Sequence, residues 1–206
     1  MENLIFNFHT SIFFLMSYLV GSIPFGYLIY KFKNGDDIRK YGSGNIGATN
    51  VNRLMGKKLG IITLLFDFFK TFVVTIYITY LFGNELGVVC GFFSILGHIF
   101  PVWLKFKGGK GVASFLGLLS IISWPLTLIF CFFWLITVKI FKFSAIGAIV
   151  ATILNIIIFK LVLLVQFSKN IMSWVPGTPF EFNVISILSL IILYKHHSNL
   201  ISFFKK

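Results

Sequence analysis

Apolar and polar positions alternate along this chain in whole segments. Long runs of Phe, Ile, Leu and Val are separated by short polar stretches. A helix that crosses a bilayer needs about 20 mostly apolar residues. On that measure the pattern predicts a first span from about Phe6 to Tyr30, kinked at Gly21-Ser22-Ile23-Pro24-Phe25-Gly26 and closed by Lys31 and Lys33. Further spans follow from about Leu59 to Phe82 and from about Leu86 to Leu104. Apolar sequence from Val112 to Val138 is too long for one simple helix and is broken at Ser123-Trp124-Pro125, which predicts a helical hairpin with a short first arm. A sixth helix from about Ser144 to Phe167 and a short last one from about Phe180 to Tyr194 complete the set. Between them, Ser168 to Pro179 reads as a loop. The predicted fold is an all-α integral membrane protein, one membrane-embedded domain over 1–206, with seven transmembrane helices and polar loops.

Two polar segments stand out. The first lies between the first two spans, from about Asn34 to Lys58, and carries Tyr41-Gly42-Ser43-Gly44-Asn45-Ile46-Gly47-Ala48-Thr49-Asn50-Val51-Asn52-Arg53. Its small residues let the backbone bend tightly and approach a ligand. Ser43, Asn45, Thr49 and Asn50 offer neutral hydrogen-bonding groups, and Arg53 offers a forked cation suited to phosphate. Little in it suits a regular helix, and a loop rich in amides that ends in arginine reads as a phosphate cradle. A flexible solvated loop is the plain alternative. The second segment is Phe106-Lys107-Gly108-Gly109-Lys110-Gly111-Val112-Ala113. Paired glycines are expected to expose their N–H groups, two lysines flank them, and a helix starts immediately after. A basic turn that anchors anionic lipid is the plain alternative there. The spacing is not that of a Walker A loop, because Gly111 and Val112 follow Lys110.

Other polar residues are few. Asp67 and Lys70 share a face of the second span, with Asp67 about 13 Å along it. Such a pair serves either to neutralise itself for insertion or to shape a site. His98, near the inner end of the third span, reads more readily as a packed, hydrogen-bonded residue than as a catalyst. Ser144 begins a helix, where capping alone would explain it. His196 and Asn199 lie three apart, placed either to meet one ligand or to form a polar tail.

Composition agrees with the pattern. Of 206 residues 57% are hydrophobic, and the mean hydropathy is +0.93; soluble domains sit near about 45–50% apolar. The net charge of +12 is not laid on a soluble basic face, so nucleic acid is not the expected partner. It is sorted instead by side. With the Ser43 loop in the cytoplasm, the Lys105–Lys110 loop, Lys139 with Lys142, and the C-terminal tail fall there too. Lys169, Glu2, Glu85 and Glu181 fall outside. Every glycine-rich or histidine-bearing polar segment then faces one side, which favours a site over random loops. No cleavable leader is expected, and Cys90 and Cys131 sit in apolar runs as packing residues.

Several chemistries are disfavoured. There is no G-x-S-x-G elbow and no zinc pattern, and no histidine is followed five residues later by aspartate, as common acyl-CoA-dependent acyltransferases require. A two-metal phosphotransferase lacks its aspartate cluster, since Asp36, Asp37 and Asp67 are the acidic groups on the expected cytoplasmic side. A transporter for a phosphorylated anion would share the basic loops. It would also need polar residues lining a path to the outer face, and the outer half is nearly bare of them.

Gly21-Ser22-Ile23-Pro24, Gly42-Ser43-Gly44-Asn45 with Gly47-Ala48-Thr49-Asn50, Gly97-His98, Phe106 to Ala113, and His196-His197-Ser198-Asn199 together resemble the bacterial acyl-phosphate:glycerol-3-phosphate acyltransferases, in order along nearly the whole chain. The resemblance implies a seven-helix protein of the bacterial inner membrane, with its active site on the cytoplasmic side. It implies transfer of a fatty acyl group from acyl phosphate to the sn-1 hydroxyl of glycerol 3-phosphate, giving lysophosphatidic acid and phosphate in phospholipid synthesis. It implies no cofactor and no metal, and a separate soluble phosphate acyltransferase as the partner that delivers the donor. The site residues it implies are Ser43, Asn50, Arg53, Lys107, Lys110, Ser144, His196 and Asn199. Joined to the two cradles read above, they give Ser43, Lys110, Ser144, His196 and Asn199 as the expected catalytic set, and Gly44, Asn45, Thr49, Asn50, Arg53, Lys107, Gly108, Gly109 and Gly111 as the expected substrate-binding set. The match is weakest around Ser144, which Phe141-Lys142-Phe143 precede. Two phosphate-bearing substrates would account for two cradles, and the loops are expected to meet beside the inner leaflet.

Overall fold

A computed structural model of the chain describes residues 8–169 and 171–205. The expected start of the first span at Phe6, and Glu2, lie outside these. The α-helices are α1 (Phe8–Gly21), α2 (Phe25–Asn34), α3 (Ala48–Met55), α4 (Lys57–Phe82), α5 (Asn84–Ile99), α6 (Val112–Ile122), α7 (Trp124–Phe141), α8 (Ser144–Lys169), α9 (Pro179–Lys195) and α10 (His197–Phe204). Short 3-10 turns occupy Ile38–Lys40 and Val102–Leu104. No strand is present among the described residues.

Among the described residues five segments are long and apolar enough to cross a membrane: Thr10–Asn34, Lys57–Phe82, Asn84–Leu104, Trp124–Phe141 and Ser144–Lys169. The pair α9–α10, bent by 46°, makes a sixth if counted as one span. The short first arm of the expected hairpin is α6, with 11 residues. At 1.5 Å per residue it is about 16 Å long, against a hydrocarbon core of about 30 Å. Two elements differ from the sequence reading. The stretch read as unsuited to helix contains α3, because Asn50 and Val51 turn inward together and Gly47 accepts the first helical hydrogen bonds. The expected tail after Lys195 is a further helix, α10.

The helices pack as two compact units, divided at Leu118/Leu119. In the first unit α4 is built inside out. Thr63, Asp67, Lys70, Thr71 and Thr75 are buried, while Leu64, Leu65, Phe69, Val73 and Ile76 are exposed. A helix of a soluble protein shows the reverse, and this arrangement suits a lipid surround. Polar contacts and small residues hold the helices. Thr71 and Ser94 share a 2.9 Å hydroxyl hydrogen bond between α4 and α5, and Tyr18 of α1 donates to the Phe100 carbonyl at 2.6 Å. Helix α1 crosses α5 so closely that a Cβ on Gly21 would meet the Ser94 carbonyl, and one on Gly97 would meet the Tyr18 carbonyl. Close approach at small residues is the usual device where lipid removes the hydrophobic drive between helices.

In the second unit α7 and α8 are joined by the turn at Lys142 and Phe143 and pack along their length. Asn155 of α8 donates to the Leu126 carbonyl of α7 at 2.8 Å. Gln166 donates to the carbonyls of Met172 and Val175 and so holds the loop after α8. Thr178 and Glu181 form a capping box that starts α9.

The α1–α5 crossing leaves no room for a larger side chain at Gly97. Gly97→Val is expected to cost roughly 1–3 kcal/mol of stability and to lower the thermal midpoint in detergent. Ile140→Val, at an exposed position, should move stability by no more than about 0.5 kcal/mol.

Candidate functional site

The Ser43 loop is pinned from beneath. Ile38, Ile46 and Val51 are fully buried and form one cluster with Tyr30 of α2 and Leu104, flanked by Tyr27, Met55 and Leu59. Burying each of these aliphatic side chains contributes about 1.5–3 kcal/mol, so the segment is a built element and not a flexible solvated loop. Leu104 brings the start of the Lys107–Lys110 segment into the same cluster.

Asn50 organises the loop from inside. It is buried; its Oδ1 accepts the Ser43 N–H at 2.8 Å, and its Nδ2 donates to the carbonyls of Tyr41 and Asn45 at 3.1 and 2.9 Å. Arg53, one turn along α3, sets its Nη1 3.5 Å from the same Oδ1. Gly42 and Gly44 have φ of +60° and +70°, a region that L side chains rarely adopt, and a Cβ on Gly42 would strike Asn50 Oδ1. Ser43, Gly44, Thr49 and Arg53 remain exposed at the surface, with Asn45 and Gly47 half-buried. Sequence reading placed Asn50 among the substrate contacts. Its side chain is instead committed to the loop's own backbone.

The second glycine loop also departs from expectation. Its glycines do not expose their N–H groups, because Gly108 N–H donates to the Ile99 carbonyl at 3.2 Å and Gly109 N–H to the His98 carbonyl at 3.1 Å. Lys107 N–H likewise donates to Leu104 at 3.2 Å. The loop folds back on the end of α5, and a Cβ on Gly108 would meet the His98 carbonyl and Pro101. In the first loop Gly44 N–H donates to the Tyr41 carbonyl and Gly47 N–H to Asn45 Oδ1. In both loops the groups left to meet a ligand are therefore side chains (Lys107, Lys110, Arg53, Ser43), together with first-turn N–H groups of α3 and α6 for which the helix itself has no acceptor.

The two loops meet. Arg39 Nη1 donates to the carbonyl of Leu104 at 3.1 Å and lies 3.4 Å from that of Lys107, while its Nε and Nη2 grip Asp37. The hydrogen bond to Asp37 is the main reason the guanidinium is held above its ordinary pKa, and the same bond from Arg39 is the main reason the Asp37 carboxyl is held below its own. Asp36 is likewise held well below the usual carboxylate range, first by the hydrogen bond from Lys40 and then by that from Tyr41, both 2.7 Å. Arg39 was not singled out by sequence. A signal was present, in Asp37 two residues before it, but nothing linear pointed to residues 104 and 107.

Asp67 and Lys70 do pair, at 2.9 Å, and both are buried. His98 is packed against them, with Nδ1 2.9 Å from Lys70 Nζ. In the second unit, Ser144 is the first residue of α8, and the carbonyl that accepts the first-turn N–H groups belongs to Phe143, so Ser144 is not itself the cap. His196 is buried at the end of α9, with Nδ1 2.8 Å from the Ile192 carbonyl. A carbonyl only accepts, so Nδ1 carries a proton, and in the neutral form of the ring Nε2 is the acceptor. Asn199 is one turn on, and its Oδ1 is buried without a hydrogen-bond partner among the described residues.

A family model described as glycerol-3-phosphate acyltransferase matches residues 11–206. The chain is 41% identical over 201 residues to a glycerol-3-phosphate acyltransferase of Bartonella henselae, covering 96% of this chain and 89% of that one. It is 41% identical over 186 residues to one of Agrobacterium fabrum, covering 90% and 84%. The fold is similar to two crystal structures of PlsY, an integral membrane glycerol 3-phosphate acyltransferase. In its glycerol 3-phosphate form the TM-score is 0.82 at 32% identity, and in its lysophosphatidic acid form 0.78 at 30% identity. Each covers 96% of this chain and 92% of that chain.

Arg39 makes a direct polar link between the loops. Arg39→Met is expected to raise amide hydrogen exchange over residues 105–111 by roughly tenfold, as loss of a charge-assisted hydrogen bond implies. Arg39→Lys should restore little, since a single ammonium does not reproduce the fork.

Proposed function

The chain belongs to the glycerol-3-phosphate acyltransferase family, and from that premise we propose that it transfers a fatty acyl group from acyl phosphate to the sn-1 hydroxyl of glycerol 3-phosphate, releasing phosphate and lysophosphatidic acid. The observation that carries this reading is the meeting of two cationic loops, one bearing Ser43 and Arg53 and the other Lys107 and Lys110, joined by Arg39 and a shared apolar cluster. Both substrates are phosphates, and the pairing supplies a cation for each.

In the proposed step the sn-1 oxygen attacks the acyl carbonyl. A C–O ester bond forms, the carbon–oxygen bond to phosphate breaks, and the hydroxyl proton leaves with the phosphate. The donor is already activated, so the protein's task is positioning and charge stabilisation. Arg53 and Lys110 hold phosphates, and Lys107 adds positive potential. Thr49, Gly44, Asn45 and the glycines 108, 109 and 111 shape the surface that the substrates meet. Asn50 acts by holding Ser43 and Arg53 in register. Ser43 and Ser144 donate hydrogen bonds. His196 Nε2 and Asn199 Oδ1, which has no hydrogen-bond partner among the described residues, are acceptors, which suits the hydroxyls of glycerol 3-phosphate. The acyl tail lies among the spanning helices. We place the protein in the bacterial inner membrane with the two loops cytoplasmic, on the strength of the one-sided lysine distribution. We assign delivery of the donor to a separate soluble phosphate acyltransferase.

The deciding experiment supplies the purified chain with acyl phosphate and glycerol 3-phosphate, and scores phosphate release and lysophosphatidic acid. Turnover with acyl-CoA and not with acyl phosphate would overturn the donor assignment, and substrate binding without turnover would point to transport. Lys110→Ala is expected to lower kcat by about 100- to 1,000-fold, the effect of removing one preorganised charge-stabilising donor. Asn199→Leu should raise the KM for glycerol 3-phosphate about tenfold while leaving the KM for acyl phosphate unchanged.

A further inference from the structure

Three ionisable side chains buried together in the first unit, Asp67, Lys70 and His98, take no part in the proposed reaction. Lys70 Nζ is 2.9 Å from Asp67 Oδ1, 2.9 Å from the Ile23 carbonyl and 2.9 Å from His98 Nδ1. An ammonium carries three N–H donors, and three acceptors surround this one. With all three donated, His98 Nδ1 must accept, and the ring proton resides on Nε2. A protonated Nδ1, although only 3.4 Å from Asp67 Oδ1, would set one N–H against another across the 2.9 Å to Lys70. The charge-balanced arrangement is an ionised Asp67–Lys70 pair and a neutral imidazole.

That imidazole turns Nε2 toward the second loop. A Cβ built on Gly109 would collide with His98 Nε2, Cε1 and Cδ2, and Gly109 N–H donates to the carbonyl of His98 itself. Ring and backbone of His98 together define where Gly109 sits, and Lys110 is the next residue.

We propose that His98, held as the Nε2–H tautomer by Lys70, is the positioning residue that sets the Gly108-Gly109-Lys110 turn and, through it, the phosphate that Lys110 holds. The proposal rests on the reading of that loop as a phosphate site. It makes His98 a support acting through Lys110, not a base. The charged pair sits between the kink after α1, α4 and α5, so its role is to fix one ring orientation where an apolar pair would permit several.

Two measurements test this on the full-length protein in detergent. Nitrogen-15 NMR of histidine-labelled protein, with His98 assigned by the His98→Asn variant, reads the tautomer without substrate. Steady-state kinetics then compares His98→Asn, which keeps an acceptor for Lys70 but loses the donor near Gly109, with His98→Gln, which restores a donor there. The expected result is a neutral Nε2–H ring. His98→Asn should raise the KM of one phosphate substrate roughly tenfold with kcat and the other KM within about twofold, and His98→Gln should recover most of that loss. Should removal of Lys70 alone fail to fold, the paired replacement Asp67→Leu with Lys70→Met removes both charges and is expected to give a mixed tautomer and the same KM rise. An Nδ1–H ring, or unchanged KM values alongside a lowered thermal midpoint, or equal rises in both KM values would overturn the proposal. Failure of the wild type to acylate glycerol 3-phosphate would instead overturn the reading of function, while the tautomer is still read independently.

Discussion

A single buried ammonium ties the first three spans together. Taking Lys70 out of water costs several kcal/mol, repaid only if every N–H finds an acceptor. The acceptors come from three places: Asp67 one turn earlier on α4, the carbonyl of Ile23 released by the Pro24 kink, and His98 on α5. Ser114 of α6 adds a fourth element by donating to the Asp67 carbonyl at 2.9 Å. Any slide of α4 against α5, or straightening of the kink, would leave a buried charge short of a partner. Buried ion pairs contribute little net stability compared with apolar packing, but they are intolerant of alternative geometries. Between helices whose outer faces are as apolar as lipid, such intolerance is what selects one arrangement.

That arrangement delivers the two loops to one end of the unit. The apolar cluster of Ile38, Ile46, Val51 and Leu104 fixes their depth, and Arg39 fixes their spacing. The loop amides then turn inward: Ser43, Gly44, Gly47, Gly108 and Gly109 all donate to protein acceptors. On the proposed reading, such a cradle would hold phosphate with long cationic side chains standing on this apolar floor. Its selectivity would then follow from where Arg53 and Lys110 are planted, in preference to a nest of backbone N–H groups.

Asn50 and the paired glycines show where linear reasoning stops. An asparagine in a glycine-rich loop offers the same donor and acceptor whether it faces a ligand or its own backbone, and only burial distinguishes the two. Gly108 and Gly109 have N–H groups that suit phosphate or the C-terminal carbonyls of α5 equally. The carbonyls of His98 and Ile99, left without helical partners, claim them first. Helix α3 was missed because its inward face is one polar and one apolar residue, Asn50 beside Val51, which gives no apolar periodicity to read.

The amino-acid sequence by itself determined the membrane class, the positions of the apolar helices, the break at Ser123-Trp124-Pro125, the pairing of Asp67 with Lys70, and the family, because these depend on composition, hydropathy and short local spacings. Tertiary structure alone decided that Arg39 spans 65 residues to reach Leu104, that His98 joins Lys70 across 28 residues, and that the glycine amides face inward. Each of these is a hydrogen bond between atoms apart along the chain, and which of several chemically equal partners a donor takes is settled only by the packing that brings one of them within hydrogen-bond reach.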